Sequence, residues 1–430
     1  DFTHNEEFRQ TLMLTHDIND DWTYQIGGNS LFYNYTNSVT APSANPAPGF
    51  FPDVPPPLYY RERDDFPIAQ DQSQSLITNL AGEFYTGELL HKAVIGMEYN
   101  YFDSASRLEI ATLGPADVTT LPYNNPAPLF DLAAIDIPVF RQHRIGGYIE
   151  DLVEVTPHWK LLGGVRFDAL NLDYDRTAFI GGPGINVDTD DTFYRTSPRG
   201  GVVYQPWLDK ELALYFNYSQ SFTPPGGSIY LNPKPIRPVT GEQFELGIKT
   251  EVVENCTFNV AGFHNVRRNA DLNNRAFVLA QLGEERSQGV EMNLLGQLTE
   301  RWSAVANYTY TDTLLSDDDP AFDGQRQRNV PFNTANFWTR YNVIQDEVHT
   351  LGAAVGLVYL GDRSGSFVDP LVLQSYSRWD AGVFYNRGRA YASLYAENLF
   401  DVNYATNSFD AYQVFPGAPI NARAQFGYVY

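Results

Sequence analysis

The chain has 430 residues, 29 of them Lys or Arg and 52 Asp or Glu, for a net charge of −23. That acidic balance excludes nucleic acid as a partner, because phosphate binding needs a basic face. The single cysteine, Cys256, excludes an internal disulfide framework and a thiolate metal site. The longest stretch free of charged and strongly polar side chains, Leu351 to Gly361, is 11 residues long, and a spanning helix needs about 20. Asp1-Phe2-Thr3-His4 has neither the basic nor the apolar region of a signal peptide. A membrane strand needs only about 9–11 residues, so a bilayer is still open to this chain through strands.

Proline placement divides the chain. Of 27 prolines, 24 are expected outside the regular segments, eight of them between Thr36 and Asp71. Proline cannot donate to a sheet ladder, so the proline-poor segments are the candidate strands. These alternate with period 2, as strands with two unlike faces do. In Glu211–Ser221 the apolar face is Leu212, Leu214, Phe216, Tyr218; in Arg301–Thr313 it is Trp302, Ala304, Ala306, Tyr308, Tyr310. Tyr376–Asn386 sets Trp379, Ala381, Val383, Tyr385 against Arg378, Asp380, Gly382, Phe384, and the last segment puts Ala424, Phe426, Tyr428, Tyr430 on one face. No segment keeps a helical period over 12 residues, so the chain is all-β.

About 17 such segments follow one another, and their connections alternate in length. Short ones are Ile18–Asp21, Gly87–His91, Thr156–His158, Pro206–Lys210, Val253–Asn255, Thr299–Arg301, Ile344–Val348 and Arg387–Arg389. Long ones are Thr36–Asp71, Asp103–Arg141, Asp175–Asp191, Thr223–Thr240, Asn265–Glu285, Asp312–Pro331, Asp362–Ser375 and Leu399–Asn421. Strict alternation puts every long connection at one end of an antiparallel up-and-down meander. Outer-membrane β-barrels have that asymmetry, with short periplasmic turns and long extracellular loops. The apolar faces then meet lipid, and Arg166, Asp168, Glu245, Lys249, Glu291, Arg378, Asp380 and Glu397 point into the lumen.

Five segments in order resemble the TonB-dependent ferric-siderophore receptors, of the ferrichrome or hydroxamate type. They are Leu162-Gly163-Gly164-Val165-Arg166-Phe167-Asp168; Ser221-Phe222-Thr223-Pro224-Pro225 with Gly241-Glu242-Gln243-Phe244-Glu245-Leu246-Gly247-Ile248-Lys249; Glu285-Arg286-Ser287-Gln288-Gly289-Val290-Glu291; Asn329-Val330-Pro331-Phe332-Asn333-Thr334-Ala335; and Ala396-Glu397-Asn398-Leu399-Phe400-Asp401-Val402-Asn403-Tyr404. The resemblance implies a transmembrane barrel of roughly 22 strands behind a globular plug and a TonB-binding segment. Residues 1–430 are then expected to be an N-terminally truncated barrel domain holding the last 17 strands, with plug, TonB segment and leader outside this chain. It further implies a monomer in the bacterial outer membrane, in contact with lipid, with TonB, ExbB and ExbD as partners and a ferric siderophore as transported ligand.

No enzyme motif is present: there is no H-E-x-x-H, P-loop or G-x-S-x-G, and the seven histidines lack metal-ligand spacing. No catalytic residue, bound metal or covalent cofactor is expected. Iron in a siderophore is already coordinated, so a receptor offers aromatic surfaces and cationic or hydrogen-bonding groups. The loops supply Tyr59, Tyr60, Arg61 and Arg63; Tyr123 and Phe130; Tyr230; Arg275 and Phe277; and Tyr412 and Phe415. Three alternatives stay open at the sequence: a passive porin of about 16–18 strands, an importer of haem or cobalamin, and an outer-membrane lipase or protease.

Overall fold

The structure, a computed structural model, describes residues 2–43, 58–117, 131–180, 184–207, 211–224, 237–273, 279–281, 283–318, 320, 322–367, 370–408 and 414–429. It contains one antiparallel sheet of 17 strands. In chain order these are β1 (Phe2–Asp17), β2 (Trp22–Ser43), β3 (Leu58–Thr86), β4 (Leu89–Asp117), β5 (Asp131–Thr156), β6 (Trp159–Ile180), β7 (Ile185–Tyr204), β8 (Leu212–Thr223) and β9 (Val239–Val253), then β10 (Cys256–Arg268), β11 (Glu284–Thr299), β12 (Trp302–Ser316), β13 (Asn333–Gln345), β14 (His349–Leu360), β15 (Tyr376–Arg387), β16 (Ala390–Glu397) and β17 (Asn421–Tyr428). Each pairs with the next, so the sheet is the up-and-down meander that the alternating connections imply. Among the described residues no ladder joins β1 to β17. Three short hairpins stand outside the sheet, pairing 271–273 with 279–281, 363–364 with 372–373, and 405–408 with 414–416.

The short turns fall where expected. Gly87 and Gly388 take φ of 65° and 57° there, a left-handed backbone that costs other residues about 1–2 kcal/mol. The long connections are a correction. β3 and β4 each run 29 residues, far beyond the membrane requirement, and the β2–β3 ladder continues to Ser43 opposite Tyr60. Pro42, Pro67, Pro115 and Pro138 therefore lie inside strands. Pro67 sits at an irregularity between Asp65 and Ile68, opposite a second one between Tyr35 and Asn37. Beyond the bilayer, water satisfies the carbonyl a proline leaves unpaired, so proline is tolerated where lipid would forbid it.

The two faces of the sheet differ as alternation requires. Register aligns Ile95, Ile149 and Val165 on one row and Met97, Gly147 and Phe167 on the next. These residues face out: Phe167 is 51% and Leu246 64% exposed, while Asp168 on the other face is 1% exposed. Such an apolar exterior is what hydrocarbon accepts; a charge there costs about 2–4 kcal/mol at the midplane. Toward the long-connection end the inner face packs into small cores. Phe140, Leu172 and Tyr174 are buried with Phe102, Val187 and Phe193 against them, and Leu315, Phe322 and Phe367 form a second cluster among the loops.

Candidate functional site

The inner wall of β4–β7 brings together side chains that pairing alone would predict to be neighbours. Glu98 lies opposite Gly146 and Gly146 opposite Asp168, with Tyr148 and Arg166 paired one row away. The Arg166 guanidinium donates to Glu98 and to Asp168, both at 2.8 Å, and Arg144 Nε reaches Asp168 at 2.8 Å. Arg166 also lies 5.6 Å from the Tyr148 ring centroid, Tyr148 donates to Asn79, and Arg199 pairs with Glu150. Gly146 is small because a Cβ there would strike the Arg166 guanidinium. These groups line a pocket of about 560 Å³, with Ser197 and Phe222 completing its wall. Its guanidinium and carboxylate groups are largely paired with one another, which makes it a polar surface. Among the described residues no cluster of His, Cys, Asp or Glu has the geometry of a metal site.

A second assembly crowns the sheet above β12–β17. Asn329, at φ 64°, donates its side-chain amide to the Ser408 carbonyl at 2.8 Å, while its Oδ1 accepts from the Ser408 amide at 3.0 Å. Its own amide donates to the Ser364 carbonyl, and Ser408 Oγ donates to the Gly365 carbonyl at 2.6 Å. One asparagine thus ties together three loops, 317–332, 361–375 and 398–420. Arg363 is buried beneath, donating to the carbonyls of Ala405 and Thr406 at 2.7 and 3.1 Å. Burial pulls the Arg363 and Arg326 guanidinium groups below their ordinary range, and Arg326 lies flat on the Phe332 ring at 3.2 Å. Asn329 opens the Asn-Val-Pro-Phe segment, but nothing in that segment reveals contacts 79 residues away, and no local pattern singles out Arg363.

The expected ligand-binding residues are distributed as follows. Tyr59, Tyr60, Arg61 and Arg63 were expected in a loop and lie on β3, with Arg61 opposite Pro42 on β2 and Leu113 on β4. The ladder extends over them on both sides, pairing with β2 and β4, although residues 58–65 show no apolar–polar alternation. Phe415 belongs to the 405–408/414–416 hairpin, is 42% exposed, and its carbonyl accepts from Thr406 Oγ1. Tyr123, Phe130, Tyr230, Arg275, Phe277 and Tyr412 lie outside the described residues. The β3 group belongs to the 17-stranded sheet and Phe415 to a separate two-stranded hairpin between β16 and β17.

Comparison with known proteins decides the class. Residues 1–399 match the family described as TonB dependent receptor-like, beta-barrel. The chain belongs to that family. The strands described above are therefore outer-membrane barrel strands. Among relatives, the chain is 27% identical to the metal-pseudopaline receptor CntO of Pseudomonas aeruginosa, covering 97% of this chain and 58% of that protein. It is 28% identical over 81% of its length to the ferrichrome outer membrane transporter/phage receptor of Escherichia coli K12, covering 47% of it. The crystal structure of the siderophore receptor PiuA from Acinetobacter baumannii superposes with a TM-score of 0.81 at 21% identity, over 99% of this chain and 64% of that one. The chain thus spans about half to three-fifths of the length of these curated relatives.

Proposed function

We propose that this chain is the barrel of a receptor that binds a ferric siderophore at its extracellular loops and upper lumen and imports it with TonB-transmitted energy. The observation that carries the reading is the family match across residues 1–399, and relatives named as siderophore receptors support it. Residues 1–430 act as one barrel domain, monomeric and sealed by lipid around its apolar exterior. TonB, energised by ExbB and ExbD, engages a segment outside these strands. The protein supplies no iron ligand and no cofactor, since the chelate arrives coordinated.

Recognition falls to the aromatic and cationic loop residues Tyr59, Tyr60, Arg61, Arg63, Tyr123, Phe130, Tyr230, Arg275, Phe277, Tyr412 and Phe415. Aromatic faces carry the organic scaffold and guanidinium groups its oxygens. Phe415 illustrates the role: half-exposed at the rim, it sits on a hairpin clamped by the Asn329 network. Deleting such an aromatic anchor costs about 2 kcal/mol or more of binding. Binding of a panel of ferric siderophores to the receptor in outer-membrane vesicles tests this. Tyr230→Ala and Phe415→Ala are each expected to weaken the bound chelate roughly 30-fold; unchanged affinity in both removes the loops from the site.

A further inference from the structure

On the outward face of β3–β7 a carboxylate interrupts the apolar rows. Register sets Ile95, Ile149 and Val165 in one outward row, and Phe84, His91, Val153 and Leu161 in another nearer the short turns. The row between them reads Gly82, Ala93, Asp151, Gly163 and Gly200. Its small residues leave Asp151 on the floor of a notch, and a Cβ at Gly163 would meet nothing within 4 Å. Ile149 and Leu161, each about half exposed, stand at its rims. Charge on a lipid-facing surface is costly, and where it persists it marks a function.

The carboxylate is tied down on one side only. His91 Nδ1 lies 2.6 Å from Asp151 Oδ2, and His91 Nε2 lies 2.6 Å from Thr86 Oγ1. Both imidazole nitrogens are thereby engaged, while Asp151 Oδ1 is buried with no hydrogen-bond partner. Aromatic rings close the side toward β2. Phe84 stacks on the imidazole at 4.7 Å, Trp22 stacks on Phe84 at 6.2 Å, and the indole covers Gly82, where a Cβ would strike it. Trp22 opens β2 and His91 is the third residue of β4, so the group sits at the membrane–water interface, where aromatic belts lie. It is on the outside of the sheet, with three strands between β5 and β1, out of reach of anything held in the lumen.

The chemistry selects the occupant. Among the described residues Asp151 has His91 as its one ion-pair partner, so an anionic headgroup finds repulsion and a quaternary ammonium brings no N–H. A primary ammonium brings three donors and a positive charge that the rings of Phe84 and Trp22 attract. We propose that Asp151, with His91, Thr86 and the Trp22–Phe84 stack, is a binding site for a bilayer phospholipid that carries a primary ammonium headgroup, in the leaflet on the short-turn side. Asp151 accepts from the ammonium, and the lipid backbone lies in the notch over Ala93, Gly163 and Gly200. The site is separate from import and holds whatever cargo the receptor carries.

The test extracts the full-length receptor in mild detergent and adds equal amounts of dioleoyl phosphatidylethanolamine, phosphatidylcholine and phosphatidylglycerol, with retained lipid read by native mass spectrometry. The ethanolamine lipid is expected to be retained roughly tenfold over each of the others, the ratio that one charge-assisted hydrogen bond supplies. Asp151→Asn is expected to bring the three to parity. Gly163→Leu, which fills the notch and keeps the charge, does the same, and it decides the matter if Asp151→Asn fails to assemble. Glu347→Gln, at an exposed turn on the same rim, leaves the preference intact. Equal retention of the three lipids by the unaltered receptor, retention of none, or a preference for either competitor overturns the proposal. So does an ethanolamine preference that survives both Asp151→Asn and Gly163→Leu, since the lipid then binds elsewhere.

Discussion

Asn398 shows what one side chain does in this architecture. It is 1% exposed and holds φ 52°, which asparagine tolerates better than most residues. Its amide donates to the carbonyls of Val402 and Ala418 at 3.0 and 3.1 Å, its Oδ1 accepts from the Val402 amide, and its backbone amide donates to Asp380. Asn398→Ala strands three partly buried groups, the Val402 and Ala418 carbonyls and the Val402 amide, at a cost of about 1–2 kcal/mol to the 398–420 loop. Limited proteolysis checks it: cleavage within that loop is expected to accelerate while the barrel's unfolding temperature stays unchanged, with Asn398→Asp, which keeps the acceptor, intermediate. The Glu-Asn-Leu-Phe-Asp motif was visible in the sequence as a resemblance only. Its physical role depends on residues that approach through folding, such as Ala418, and no local pattern encodes those.

At the scale of elements, the short turns are self-contained and therefore legible. Asp346 closes the β13–β14 turn by accepting from the backbone amides of Val348 and His349 at 2.9 and 2.7 Å. These bonds hold its carboxyl below the usual carboxylate range. A group whose value is lower folded than unfolded stabilises above the unfolded value, about 3.9, and loses that contribution as pH falls through the folded one. Protection factors at Val348 and His349, taken relative to intrinsic exchange at each pH, are thus expected to be higher at neutral pH and to fall in acid, whereas Asp346→Asn, still an acceptor, removes that fall. Strand ends at the opposite side were less legible. Proline marks where a ladder bond is lost, but at Pro42 and Pro138 the ladder continues through the gap, so a proline count overstated the loops and moved Tyr59–Arg63 off their strand.

For the whole molecule, period-2 alternation and the eightfold short–long rhythm of connections were enough to specify 17 antiparallel strands and their inside and outside. Both are local properties repeated many times. The cross-strand row that joins Arg340 to Arg423 was not legible, because it runs through five strands. The function proposed for the receptor that holds these strands is energised import of an iron chelate, and a passive pore of similar size is the nearest rival. Uptake of a radiolabelled ferric chelate by iron-starved cells, with and without the gene and with and without a proton uncoupler, separates the two. The account predicts saturable, gene-dependent uptake that the uncoupler abolishes; gene-dependent uptake that is unsaturable and indifferent to the uncoupler contradicts it.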